Sequence, residues 1–171
     1  MIRFNRLAVS ALVAGATLVL PSLGASATSA PRSCVPTQMV VSLGRANGAA
    51  GTIYYPIVLT NRGGECAIWG VPAIQPLGAT GQPLGPSARN ASMGEMPARH
   101  VLAHGQSVSV GFGVSDTGNY SRAACVPRVA HSVRVSLAPF VKPTDVALVI
   151  SVCTREASTS TRLLASGRTG A

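Results

Sequence analysis

Three histidines, five acidic residues and four cysteines are what this 171-residue chain offers, beyond its hydroxyls, for acid–base, nucleophilic or metal chemistry. Their spacing discourages most of it. His100-Val-Leu-Ala-His104 sets two histidines four apart, which brings both to one face of a helix for zinc, with Glu95 a short way upstream. The Glu that should follow the first His directly is missing, and Gly105 with its flanks reads as loop or strand, so chance histidines in a loop are the better reading. A serine hydrolase elbow has the form Gly-x-Ser-x-Gly, and the nearest string, Gly113-Val-Ser115-Asp-Thr-Gly118, misses that spacing. A serine could meet His131 and Asp116 or Asp145 in space, but nothing in their order supports it. Gly111-Phe-Gly113 lies inside an alternating pattern rather than at a strand-to-helix turn, so it is no dinucleotide fingerprint. No Walker lysine exists. The expectation is a protein without catalytic, metal or cofactor residues, not an enzyme.

Cys34, Cys66, Cys125 and Cys153 form an even set, and no two stand at Cys-x-x-Cys distance, which argues against zinc ribbons and redox motifs. Two disulfides are expected. Four cysteines allow three connectivities, and the sequence does not choose among them. The sequential pattern, Cys34 with Cys66 and Cys125 with Cys153, closes two similar loops in separate halves and is preferred.

An export address agrees with that chemistry. Met1 to Arg6 carries two arginines and no acid, Leu7 to Leu20 is apolar, Pro21 breaks the stretch, and Ala25-Ser-Ala27 supplies small residues at both key positions. This reads as a secretory signal peptide, 1–27, cleaved after Ala27. The apolar stretch is shorter than the roughly 20 residues of a spanning helix, and no later run approaches that length. Pro31-Arg-Ser33 before Cys34 is no lipoprotein box. The mature chain, 28–171, is then a single domain outside the cytoplasmic membrane, with twelve basic against five acidic residues, a net charge of +7. Its arginines fall singly and without interleaved aromatics, so specific nucleic-acid binding is not expected. Attraction to anionic envelope polymers or head groups, and a merely solvating surface, are equally open readings of that charge.

The elements that must carry these residues read as short strands. Ser107 to Ser115 is the clearest, with Val108, Val110, Phe112 and Val114 on one face and only Ser or Gly on the other, a half-buried strand. Thr52 to Thr60 is rich in β-branched and aromatic residues, but Pro56 demotes it to an edge strand or a bulge. Ser132 to Leu137 alternates, and Val146 to Cys153 is a nearly continuous apolar run suited to a buried strand. Gln38 to Leu43, Cys66 to Trp69, Ala73 to Leu77 and Ser160 to Ala165 are shorter candidates. Val126 to His131, opened by Pro127, is the only stretch read as a helical turn. Asn61 with Gly63 and Gly64, and Gly70 with Pro72, supply turns, the first through positions tolerant of positive φ. Trp69 reads as core, with a sugar-stacking platform as the sharper alternative. The Pro-, Gly-, Ser- and Met-rich stretch from Gly78 to His100 is the expected long loop, and residues 166–171 a mobile tail. About eight strands, within a range of seven to nine, two staples and an exported chain point to an all-β, antiparallel β-sandwich of immunoglobulin-like type.

The string Leu59-Thr-Asn-Arg-Gly-Gly-Glu-Cys-Ala-Ile-Trp-Gly-Val-Pro72, preceded by Gly51-Thr-Ile-Tyr54, resembles the central signature of the domain of unknown function numbered 4232, a family of exported actinobacterial proteins. Gly81-Gln-Pro-Leu-Gly85, Leu102-Ala-His-Gly-Gln-Ser107, Cys125-Val-Pro, Val133-Arg-Val and Cys153 continue the likeness, over about residues 34–165. His104 stands where the family usually has Pro. The resemblance implies an all-β exported domain with two disulfides and carries no catalytic or ligand residues over. In a bacterial source the glycosylation patterns Asn90-Ala-Ser92 and Asn119-Tyr-Ser121 are idle.

Two functions from different classes follow. The favoured one is a non-catalytic module, secreted or associated with the cell envelope, that binds a protein, glycan or lipid partner through loops such as Gly78 to His100. The alternative is a small secreted serine-type hydrolase using a serine with His100, His104 or His131.

Overall fold

The computed structural model describes residues 30–170, so the signal segment 1–27 and its cleavage after Ala27 lie outside the described residues. Among those residues the structure is all β, with single 3-10 turns at Pro36–Gln38 and Thr117–Asn119. The strands are β1 (Met39–Leu43), β2 (Asn47–Ala49), β3 (Thr52–Asn61), β4 (Cys66–Ile68), β5 (Ala73–Leu77), β6 (Arg89–Asn90), β7 (His100–Leu102), β8 (Ser107–Ser115), β9 (Pro127–Leu137), β10 (Val141–Cys153), β11 (Thr159–Thr161) and β12 (Ala165–Ser166). That exceeds the seven to nine expected. The surplus lies in segments of two or three residues, too short to leave an alternating pattern in the sequence.

One sheet runs β1-β3-β8-β11-β6, with β2 also on β3 and β12 also on β8; β10-β9-β5 form a second sheet and β4-β7 a third. All pairs are antiparallel except β11 with β6. The three sheets share one buried cluster. Ile57 and Leu59 of β3, Val108, Val110 and Phe112 of β8, Val133 and Val135 of β9, and Ile150 and Val152 of β10 meet there, with Ile74 of β5, Ile68 of β4 and Leu102 of β7.

The alternation of β8 places Val108, Val110, Phe112 and Val114 in that cluster. Its other face is buried too, contrary to the half-buried strand expected, because side chains and backbone from elsewhere cover it. The Tyr54 ring lies over Gly113, and after β12 the chain turns at Gly167 and crosses Gly111, where a Cβ would stand 2.6 Å from the Gly170 carbonyl oxygen. Gly170 N donates to Ser109 Oγ at 2.9 Å. The small residues of β8 therefore make room for a covering layer, and residues 167–170, read from sequence as a mobile tail, supply part of it.

β3 is not an edge strand: it lies between β1 and β8. Pro56 is tolerated because of where its missing donor falls. In an antiparallel ladder a residue's N–H and C=O point to the same neighbour, and the Pro56 carbonyl accepts from Gly44 N at 2.8 Å, in the gap where β1 has ended at Leu43 and β2 has not begun. Two further corrections concern the second sheet. Pro127 opens β9 and not a helical turn, as its lack of N–H permits at a strand's first residue. Val146 to Cys153 is no buried run, since β10 is the outer strand of its sheet, its register with β9 shifts between Ala147 and Ile150, and Val149 is 69% exposed.

Cys34 is bonded to Cys66 and Cys125 to Cys153, across sequence separations of 32 and 28. Loops of that size are each worth about 3–4 kcal/mol in the chain-entropy account. The first bridge holds the N-terminal segment to β4, beside hydrogen bonds from Cys34 N to Ala67 O and from Ala67 N to Arg32 O. The second joins the entry of β9 to the end of β10, where Cys153 stands opposite Pro127.

Phe112→Ala is expected to lower the unfolding free energy in urea by about 3–5 kcal/mol, whereas Val149→Ala should stay within about 0.5 kcal/mol of the parent. A second prediction concerns acid. Arg134 and Asp145 pair across β9 and β10, Nε to Oδ1 at 2.7 Å and Nη2 to Oδ2 at 2.8 Å. Hydrogen bonding from Arg134 holds the Asp145 carboxyl below its ordinary value of 3.8. A carboxyl lowered on folding stabilises the fold above its unfolded value, and that contribution is lost as the pH falls through the lower folded one. Asp145→Asn is therefore expected to narrow the difference in urea midpoint between pH 5 and pH 3; an undiminished difference would count against the pair.

Candidate functional site

Asn61 is fully buried at the end of β3, and its side chain joins two turns. Nδ2 donates to Gly64 O and Leu102 O, both at 2.9 Å, while Oδ1 accepts from Gly63 N at 2.9 Å. Its backbone adds bonds to Gln106 O and from Gly105 N. The turn does not use positive φ at Asn61, Gly63 or Gly64, as the sequence suggested. Gly63 is needed for space instead: a Cβ there would stand 2.8 Å from the Gln38 side chain. Gly70, in contrast, does reverse the chain at φ +115°.

This clamp sets the β7–β8 turn beside the C-terminal segment, and a cleft of about 520 Å³ opens between them. Arg99, His100, Gln106, Ser107, Ser166 and Gly167 contribute to its walls. His100 Nε2 lies 3.0 Å from Leu164 O and Nδ1 3.2 Å from Ser166 Oγ. A carbonyl only accepts, so Nε2 carries the hydrogen, and in the neutral ring Nδ1 accepts from the Ser166 hydroxyl. Gln106 Oε1 accepts from Ala103 N at 3.0 Å, which turns its amide hydrogens away from that bond. The Arg168 guanidinium reaches Ser107 Oγ at 3.2 Å and Thr60 Oγ1 at 3.4 Å.

The long loop leads into this cleft. It is tied down as far as Ser92: Gly78 N bonds Gln82 O, Leu84 N bonds Pro76 O, Ala88 N bonds Ile74 O, β6 pairs with β11, and Ser92 Oγ accepts from Leu163 N. Residues 93–99 are then all exposed, Met93 at 84% and Met96 at 90%. The loop ends with the Arg99 guanidinium 4.7 Å above the centre of the Trp69 ring, its Nη2 donating to Pro31 O at 2.7 Å. Trp69 is half-buried and meets Phe140 edge-on at 4.5 Å between centroids. Arg99 thus covers one face of the ring on which a sugar could stack.

The other candidate residues do not converge. His104 Nδ1 lies 3.3 Å from Gly63 O, away from the partners of His100, and Glu95 is exposed on the loop. Among the described residues no three metal-ligating side chains gather. Asp116 Oδ1 accepts from Gly118 N, Asp145 is held by Arg134, and His131 is exposed on β9, so Ser115 has no triad around it. A second cleft, about 570 Å³, lies at the other end of the β3–β8 pair, with Tyr55, Ile53, Val149, Ser115, Asp116 and Thr117 among its walls. Since Thr60 pairs with Ser107 and Thr52 with Ser115, the two clefts stand roughly 26 Å apart along the strands.

Residues 34–164 match the family model described as Domain of unknown function (DUF4232). The chain belongs to this family. Comparison with curated proteins and with solved structures gave no match. The DUF4232 region holds both disulfides and one wall of the first cleft, while Ser166 and Gly167 of the facing wall, and Arg168 beside them, lie past its last matched residue. Those residues, with Gln106 and the clamp role of Asn61, were not singled out from the sequence. Only Asn61-x-Gly63 carries a local signal, that of an Asx turn.

His100→Ala is expected to cost about 1–3 kcal/mol in urea unfolding, because the partly buried Leu164 carbonyl loses its donor. His104→Ala should change stability by less than about 0.5 kcal/mol.

Proposed function

We propose that this DUF4232 chain is a secreted or cell-envelope-associated, non-catalytic module, an immunoglobulin-like β-sandwich that binds a protein, glycan or lipid partner through the Gly78 to His100 loop. Two disulfides and the absence, among the described residues, of any helix long and apolar enough to cross a membrane support the setting. The carrying observation is the loop itself. Its base is hydrogen-bonded to both larger sheets while residues 93–98 are exposed, with two methionines whose flexible thioethers suit an apolar contact surface. Anchored ends and an exposed tip keep the ordering cost on binding low.

Immobilised mature protein is expected to retain a partner from isolated envelope fractions at physiological salt. Met93→Ser with Met96→Ser should cut that retention at least tenfold, and replacement of His104 and His131 by Ala should leave it intact. Retention no greater than on a blank support, or retention indifferent to the methionine pair, would overturn the reading.

One contact favours the second function, serine-type hydrolysis: the Ser166 hydroxyl beside His100 in a cleft. The other ring nitrogen faces a carbonyl and not a carboxylate, so the imidazolium formed on taking the serine proton would lack a counter-charge. Turnover of a generic ester that is lost in both Ser166→Ala and His100→Ala would establish it.

A further inference from the structure

We propose that the cleft between β7 and the C-terminal segment binds a phosphate group of the ligand, an inference that rests on the binding reading above and names the chemistry of the site at the root of the loop. Among the described residues no acidic side chain lines the cleft. The only ion pair among the described residues is Arg134 with Asp145, so neither Arg99 nor Arg168 has a carboxylate against it.

Arg99, His100 and Gln106 line the cleft, and Arg168 reaches its wall at the Ser107 hydroxyl. A guanidinium has five N–H groups in a fixed fork, and Arg99 commits Nη2 to Pro31 O while its plane rests on Trp69, which orients the fork without neutralising it. Arg168 commits Nη1 to two hydroxyls, Thr60 and Ser107, and is otherwise exposed. Gln106 presents its amide hydrogens, its oxygen being held by Ala103 N. The His100 ring and the Ser166 hydroxyl stand in the same wall.

The Arg99 guanidinium with an imidazole, an amide and hydroxyls in the wall, and the Arg168 guanidinium bonded to one of those hydroxyls, match a tetrahedral oxyanion, which offers several acceptor oxygens to bidentate and single donors together. A cleft of about 520 Å³ leaves room for the group esterified to that phosphate. Glu65 stands just before β4 and Glu95 on the exposed loop, and neither is among the residues that line the cleft.

The test is a titration of the full mature chain with inorganic phosphate, followed by NMR at the Gln106 side-chain amide, the His100 ring and Arg99 Nε. Saturable shifts confined to these groups are expected, weakened about tenfold by Arg99→Gln and by Arg168→Gln. Arg155→Gln should bind as the parent does, because that turn leads to Ser158, whose carbonyl meets Ser115 N at the other end of β8. Arg168→Lys keeps the charge and separates lost attraction from a displaced C-terminal segment. Unsaturated shifts spread over all arginines, or equal binding of acetate, or parent-like binding by a folded Arg99→Gln, would overturn the proposal. Vesicles then distinguish the source. Retention on phosphatidylglycerol but not phosphatidylcholine vesicles, lost in Arg99→Gln, assigns the phosphate to a lipid head group; phosphate binding without vesicle retention assigns it to a free or polymer-borne phosphate. Methionine-dependent capture from envelope fractions with no phosphate binding would sink this site and leave the binding module standing.

Discussion

The side chain of Asn61 is the constraint on which the candidate site depends. A fully buried amide with no partner would cost several kcal/mol, and here its oxygen and nitrogen are both used, to Gly63 on one side and to Gly64 and Leu102 on the other. Because its backbone also pairs with Gly105 and Gln106, a single residue registers the β3–β4 turn against the β7–β8 turn. Gln106, Ser107 and His100 are placed by that registration. Shifting it by one residue would turn the inward and outward faces of β8 over, so the core and the cleft wall are specified together.

Coverage of β8 on both faces determines which surfaces remain for binding. The inward valines and Phe112 fill the core, and the outward Ser109, Gly111 and Gly113 admit Tyr54 and the C-terminal segment at backbone distance. The sheet faces are thereby closed along its centre. What stays open lies at the two ends of the β3–β8 pair, and the ends differ in character. One carries Ile53, Val149 and Tyr55 with Asp116; the other carries Arg99 and His100 and, among the described residues, no acid.

The excess of basic residues gains a location from this geometry. Charges spread singly over a surface and screened by salt are worth little apiece. Arg99 differs from a solvated arginine in being oriented by the Trp69 face and by Pro31 O, and Arg168 in being oriented by two hydroxyls. Fixing a guanidinium before a ligand arrives removes much of the ordering cost that makes exposed ion pairs weak. The exposed methionines and the oriented Arg99 lie along one stretch of chain, residues 93–99, so apolar contact and anion recognition can act on the same partner.

Much of the fold was legible where local rules dominate. The alternation of residues 107–115 marks a strand whatever surrounds it, Gly70 marks a reversal because few other residues adopt its φ, and an even set of cysteines marks staples. Local rules failed where neighbours override them. Pro56 looked like an edge residue, yet it sits in the middle of a sheet at the gap between β1 and β2. Val149 looked buried, and a register shift on an outer strand exposes it. The amino-acid sequence alone determined an all-β chain with two bridges and a long loop ending at His100, because periodicity, turn chemistry and cysteine count act over a few residues. Only the tertiary structure decided which of three disulfide pairings forms, and that His100 meets Ser166 across 66 positions and Arg168 meets Thr60 across 108. Such meetings follow from sheet register and from the room left by absent side chains, and neither is written in any short stretch of chain.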